Sequence, residues 1–379
     1  MKDNSVTFYP VRNGDTTLIE LSDGATVLID CRFLGEDNRV YDVHGDLLAR
    51  VGRDGAGRPH LSTFILTHPD QDHCCGFTDG FHVGSPGDYT AADKREGKII
   101  IDELWFAPRI FNEYEGDLCG DAVEFREEAQ RRIDLYLSGD KSRSQSGNRL
   151  RVIGYSDNPQ LKGLEDILTV PGSSLNLINN KLYDDFCFFV YAPIKHDSDD
   201  ENNARNDTSI VLQARFDVDG EEDAARVFLG GDTACAKWER IIDKNEDDNL
   251  AWDLFLAPHH CSWGFFSEEA YDEDNPNPND KIMDLLELKR GDGYVIVSSK
   301  PIKDDGDNPP HYGAAQIYKS VVGEDRFLCT GEHPDEDDPE PIYFTMTASG
   351  PVKDNPPSIE KSAVTASIRQ VVSTPRTYG

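Results

Sequence analysis

Positive charge is what this chain has least of. Its 379 residues include 38 lysines and arginines against 71 aspartates and glutamates, a formal net charge of −33. Such a balance repels polyanions at long range. No basic stripe of the kind that lines a nucleic-acid channel runs along the sequence. The nearest thing is a mild concentration at Arg126, Arg131, Arg132, Lys141, Arg143, Arg149 and Arg151. Much of the acidity sits in polar stretches (197–201, 217–223, 272–274 and 335–340), where it reads as solvated loop charge. Long apolar runs are missing too: none approaches the ~20 residues of a membrane span. The opening Met1-Lys2-Asp3-Asn4-Ser5 lacks the apolar core of a signal peptide. The eight cysteines are scattered, with Cys74 and Cys75 adjacent and no CxxC pair. That points to reduced thiols in a cytoplasm rather than a disulfide framework. Internal repeats and low-complexity domains are absent as well.

What is present is a concentration of ligands. Leu66-Thr67-His68-Pro69-Asp70-Gln71-Asp72-His73 packs four imidazole and carboxylate groups into six residues, directly after an apolar run at 61–67 that reads as a buried strand. His68 and Asp70, two apart in extended chain, project to one side and suit one cation. Asp72 and His73 fall past the turn and suit a second. Imidazole with carboxylate is a donor set for zinc, manganese or iron rather than magnesium or calcium. An acidic cap for a following helix needs one such residue, not four. Downstream, Phe228-Leu229-Gly230-Gly231-Asp232-Thr233 places a carboxylate at a strand end beside glycines. Leu254-Phe255-Leu256-Ala257-Pro258-His259-His260-Cys261-Ser262 ends another strand in a histidine pair. Cys74, Cys75 and Cys261 flank these positions as packing residues.

The order His-x-Asp-x-Asp-His, then Gly-Asp, then Pro-His-His resembles the metallo-β-lactamase superfamily of binuclear metallohydrolases. Pro10-Val11-Arg12-Asn13-Gly14-Asp15-Thr16 with its following hairpin narrows the resemblance, as do Asn206-Asp207-Thr208-Ser209 and Asn308-Pro309-Pro310-His311-Tyr312. These look like the soluble domain of the competence protein ComEC and its stand-alone relatives. Asp70 stands where the common pattern has histidine, a departure that ComEC-like members share. His196 lies near the place of the family's further histidine, in a polar loop.

The resemblance implies an α/β fold, an αββα sandwich with insertions at about 32–60 and 112–182. One hydrolase domain is expected over 1–350, with a C-terminal extension at 351–379. Expected strands lie at 6–11, 16–21, 25–30, 61–67, 99–106, 186–191, 209–216, 225–229, 252–257 and 294–299. Helices are expected after His73, at 121–138 (as an insertion over the site's mouth), at 233–244 and after His311; 36–59 reads as a loop or hairpin. The implied cofactors are two divalent metal ions, zinc or manganese, held by His68, Asp70, Asp72, His73, Asp232 as the bridge, and His259 or His260. Asp72 and His260 are candidate catalytic residues beside His311, placed to position substrate or to protonate a leaving oxygen. Asp15 and Asp30 read as supporting or turn residues, Asn206 and Ser209 as loop tethers, and Thr67 as a partner of the first loop. The implied reaction is phosphodiester hydrolysis by a metal-activated hydroxide, on a small or short phosphodiester, nucleic acid included. A carboxylic-ester, lactone or thioester hydrolase and a non-catalytic metal-stabilised module remain alternatives.

Overall fold

The computed structural model describes residues 2–35, 38, 40–111, 118–158, 161–195 and 209–355. His196, Asn206 and the stretch from 356 lie outside them.

The amino-terminal part supplies β1 (Ser5–Phe8), β2 (Thr17–Glu20), β3 (Thr26–Ile29), β4 (Gly52–Arg53), β5 (Pro59–Ile65), β6 (Ile100–Phe106), β7 (Arg149–Ile153) and β8 (Leu168–Thr169). After β9 (Ser173–Leu175) and a small hairpin of β10 (Leu177–Ile178) and β11 (Lys181–Leu182) come β12 (Phe186–Ala192), β13 (Val211–Val218), β14 (Glu221–Leu229), β15 (Trp252–Leu256), β16 (Lys289–Val297) and β17 (Phe327–Cys329). The chain then returns to its start with β18 (Ile342–Thr347) and β19 (Gly350–Asp354). One sheet runs β19-β18-β1-β2-β3-β5-β6-β7-β8, with β4 on β5; the other runs β17-β16-β15-β14-β13-β12-β9.

Alternation along the strands explains how the sheets stack. Val27 and Ile29 of β3, Phe186, Phe188 and Val190 of β12, and Leu254 and Leu256 of β15 share the core between the two sheets. The residues between them turn outward. Leu28 joins the outer layer of the first sheet, and Phe189, Tyr191 and Phe255 join that of the second. Helices α1 (Val43–Arg50), α2 (Gln71–Cys74), α3 (Phe77–Gly80) and α4 (Gly120–Leu137) cover the first outer face. Helices α5 (Cys235–Asp243), α6 (Asp280–Glu287) and α7 (Tyr312–Val322) cover the second. The architecture is the expected αββα sandwich.

Four details differ from the sequence reading. The 36–59 stretch, read as a loop or hairpin, does form a hairpin where β4 pairs antiparallel with β5, but it also contains α1, whose Val43 and Leu47 are buried in the outer core; glycine- and aspartate-rich flanks mask a short amphipathic helix. Helix α4 is not a lid over the mouth: Ala122, Phe125, Ala129 and Ile133 pack it onto the sheet, with Phe125 against Phe64 and Phe77. The expected extension begins as structure, since β19 pairs with β18 and β18 pairs antiparallel with β1. Arg131 and Arg132 of the basic 126–151 region serve as internal staples. Arg131 and Arg132 bind Glu128 at 2.7 Å, and Arg132 reaches the carbonyls of Ile101 and Arg149.

Candidate metal centre

Strands β3, β5 and β6 are parallel, as are β14, β15 and β16. Ligand sites in such sheets lie beyond the carboxyl ends of the strands. Here Asp30 follows β3, His68 follows β5, Asp232 follows β14 and His259-His260 follow β15. The two sheets are tied at this end by Ile210 N–H donating to the Thr67 carbonyl at 3.0 Å.

Asp30 organises the first loop. Buried completely, it accepts from Thr67 N–H (2.7 Å), Thr67 Oγ1 (2.6 Å) and His73 Nδ1 (2.7 Å). Because the Thr67 hydroxyl gives its single proton to Asp30, the 3.0 Å contact of His68 Nδ1 with Thr67 Oγ1 makes that nitrogen the donor. Both imidazoles therefore turn Nε2 inward, and α2 carries Asp72 and His73 on its single turn.

Asp232 lies at the middle. Its Oδ1 is 3.1 Å from His73 Nε2 and 3.6 Å from His260 Nε2, which in turn is 3.4 Å from Asp72 Oδ2. Its Oδ2 is 3.7 Å from both His68 Nε2 and His259 Nε2, and His68 Nε2 is 3.9 Å from Asp70 Oδ2. Each of the adjacent histidines thus takes one side of the same carboxylate. The turn that splits them, Pro258–Cys261, runs through positive φ at His259 (49°), His260 (53°) and Cys261 (71°). Glycines make room: a Cβ on Gly230 would sit 2.8 Å from Trp238 and 2.9 Å from Pro258, and one on Gly14 would sit 2.5 Å from the Asp72 carbonyl.

His68, Asp70, Asp72, His73, Asp232, His259 and His260 thus come together, with one addition. Asp15, read as a supporting or turn residue, is buried with its Oδ1 3.5 Å from His260 Nδ1. Asp15, His73, Asp232 and His260 form a group whose ligand atoms all lie within 4.8 Å of one another. The Asn13-Gly14-Asp15 turn was its only sequence signal. Ser209 is buried beside Gly231. His311 caps α7, its Nδ1 accepting from Ala314 N–H at 3.2 Å, so the ring proton sits on Nε2. Its backbone N–H donates to the Cys261 carbonyl, and its ring packs on Tyr271 and Trp263.

Electrostatics fit a cation. Burial opposes a charged His73 ring, yet Asp232 and Asp30 hold its pKa well above the ordinary value. Burial likewise opposes a charged His260, but Asp232, Asp15 and Asp72 lift it to about 10. Against the cost of burial, His73 and His260 keep Asp232 well below the usual carboxylate range. On the other side, burial lowers His259. Among the described residues, His68 Nε2, His73 Nε2, His260 Nε2 and Asp232 Oδ1 are buried with no hydrogen-bond partner. Buried polar atoms are rarely left so, and imidazole with carboxylate is the donor set for a divalent transition metal. The residues fit the ions that the sequence implied.

No family model matches the sequence, and no curated protein matches it significantly. Among solved structures, one similar chain is named a metal-dependent hydrolase, from Parabacteroides distasonis, at 9% identity and TM-score 0.34; the match covers 86% of this chain and 92% of that one. Another is a long-form RNase Z from yeast, at 10% identity and TM-score 0.37, covering 90% of this chain and 42% of that one. A third is a diphosphatase of the PhnP family, at 11% and 0.33, covering 90% and 98%. Scores this low carry no argument about activity. Among the described residues no helix is long and apolar enough to cross a membrane.

Proposed function

We propose that this chain is a metal-dependent hydrolase of the metallo-β-lactamase superfamily, on its ComEC-like branch, that cleaves phosphodiester bonds. The observation that carries the reading is Asp232, whose two oxygens face two separate donor sets. His68, Asp70 and His259 lie toward Oδ2, and Asp72, His73 and His260 toward Oδ1. These residues would hold two divalent ions, zinc or manganese, with Asp232 offering an oxygen to each set. When bound, such ions supply Lewis acidity and bring the pKa of water near neutrality.

The chain's own groups do the rest. Asp30 and Thr67 fix the imidazoles of His73 and His68 with Nε2 inward. Asp15 Oδ1 faces the other nitrogen of His260, Nδ1, at 3.5 Å. His311 keeps its proton on Nε2, where it donates to a phosphoryl or leaving-group oxygen. Its lowered pKa, caused by burial, keeps the ring neutral at physiological pH.

The test is turnover of bis-para-nitrophenyl phosphate by metal-stripped protein reloaded with manganese or zinc, beside Asp232→Ala. Metal-dependent turnover is expected, with a loss of at least about a thousandfold in the variant. Metal bound at two equivalents without turnover would sink the phosphodiesterase reading and send the work to carboxylic esters and thioesters.

A further inference from the structure

A cavity of about 410 Å³ lies beside the metal centre, lined by Arg12, Arg32 and Lys300, with Pro10, Pro301 and Pro339 among its walls. It shares its framework with the centre. Arg12 and Asn13 line the cavity, while Asp15, two residues on, belongs to the buried metal-ligand group. The Arg32 stem runs against Gly14, at the point where Gly14 meets the Asp72 carbonyl. Asn13 closes the assembly, donating to the Pro309 carbonyl at 3.0 Å and accepting from Lys300 N–H at 3.1 Å.

The charge in this cavity runs against that of the chain. In a protein of net charge −33, neither Arg12 nor Arg32 has an ion-pair partner among the described residues. Arg32 Nη1 is held by the carbonyls of Val11 and Asn13, which aims the guanidinium without neutralising it. Arg12 presses on Arg32 as a like charge, and Asp72 is the carboxylate acting on it. Lys300 is shared with Asp307, and Glu336, a carboxylate of the lining, is drawn to Lys303 at 3.9 Å. Arg12 is also held at φ 63°, a conformation that costs a non-glycine residue energy and is kept where surroundings or function demand it. Two guanidiniums and an ammonium around one concavity, with no ion pair on either arginine among the described residues, make a recognition site for a doubly charged phosphate. The cavity falls within the ~300–1,000 Å³ range of ligand pockets, larger than a phosphate alone and suited to a phosphate on its sugar.

We propose that this cavity binds the terminal phosphate monoester of the substrate, so that the enzyme acts on short phosphodiesters carrying such a phosphate rather than on long polyanions. The position of the scissile bond rests on the phosphodiesterase reading; the anion site does not. It reconciles the acidic exterior with a phosphate-bearing substrate, because the positive charge is gathered locally at one cavity.

Two measurements separate the claims. Thymidine 5′-monophosphate is titrated calorimetrically into the metal-loaded protein, Arg12→Asn, Lys300→Met and Asp232→Ala. Asparagine is chosen because it tolerates positive φ and so removes the charge with little strain. The dissociation constant is expected to rise about tenfold or more in Arg12→Asn and in Lys300→Met, the scale of one charge-assisted contact, while Asp232→Ala still binds. Kinetics then compare dithymidylate with and without a 5′-phosphate. A preference in kcat/KM for the phosphorylated form is expected, falling toward one in Arg12→Asn. Equal affinity in wild type and Arg12→Asn, or binding abolished by Asp232→Ala alone, would overturn the site. Arg12-dependent binding with neither dinucleotide hydrolysed would uphold the anion site and reject the phosphodiesterase.

Discussion

On one side of the centre the donors come from the 67–73 loop, and on the other from the 258–261 turn. The first is held by side chains: Asp30 accepts three hydrogen bonds at 2.6–2.7 Å and through them orients two histidines. The second is held by backbone, with three successive residues at positive φ sending adjacent imidazoles to opposite oxygens of Asp232. A hydrogen-bonded loop stores its specificity in one buried carboxylate, so one substitution dismantles it. A twisted turn stores it in conformational energy that the packed Pro258 and Cys261 sustain, so what matters there is which residues tolerate the twist.

The largest effect should therefore follow Asp30→Ala. It strands Thr67 N–H and His73 Nδ1 in a dry interior, where breaking such a network costs about 3–5 kcal/mol. Losing the orientation of metal-facing imidazoles typically costs about 10–100-fold in metal affinity. Denaturant unfolding and metal titration read the two effects separately. Metal affinity unchanged in a destabilised variant would show that Asp30 supports the fold alone.

Removing metal and varying pH tests the same asymmetry less severely. His260 has its pKa raised from 6.5 to about 10. Its contribution to the stability of chelated protein is thus complete below about 6.5 and lost as pH climbs toward 10. Asp232 is shifted the other way, so its contribution holds above the ordinary carboxylate range and fades in acid. Chelated protein should accordingly gain most from the cluster between about pH 4 and 6.5. Metal must displace the protons of His73 and His260, whereas burial already keeps His259 neutral. The rise in Tm on adding manganese should then grow from pH 6 to pH 9, with the second equivalent bound only in the upper part. A pH-independent rise would remove these imidazoles from the ligand set.

The same contrast explains what the sequence disclosed. His68, Asp70, Asp72 and His73 are close in the chain and follow a strand, so a local pattern revealed them. Asp232 was marked by its glycines. The roles of His259 and His260 stayed open because strand or helix periodicity gives no rule for consecutive left-handed residues; only the turn shows that each faces its own oxygen. The partner of Asp15 was not legible because it is His260, about 245 residues away, a juxtaposition set by sheet order rather than spacing. The pairing of β18 with β1 was hidden for the same reason, and α1 because only Val43 and Leu47 among its apolar residues are fully buried. The central strands were plain as apolar runs, since both of their faces are buried; which residues face which layer was not.

The smallest effect sharpens the comparison most. At His259 both Asn and Val remove the imidazole, and both should weaken metal binding on the Oδ2 side to a similar degree. They differ in what they ask of the backbone. Asparagine enters the left-handed region with little penalty, while a β-branched residue there costs about 1–2 kcal/mol. His259 is about a third exposed at its side chain, so neither change empties a core site. Unfolding of metal-free protein should then find His259→Val less stable than His259→Asn by roughly that 1–2 kcal/mol, with the metal-binding loss shared. Equal stabilities would mean that the turn relaxes at no cost, and that the two histidines are parted by packing around Cys261 rather than by the conformation of the turn.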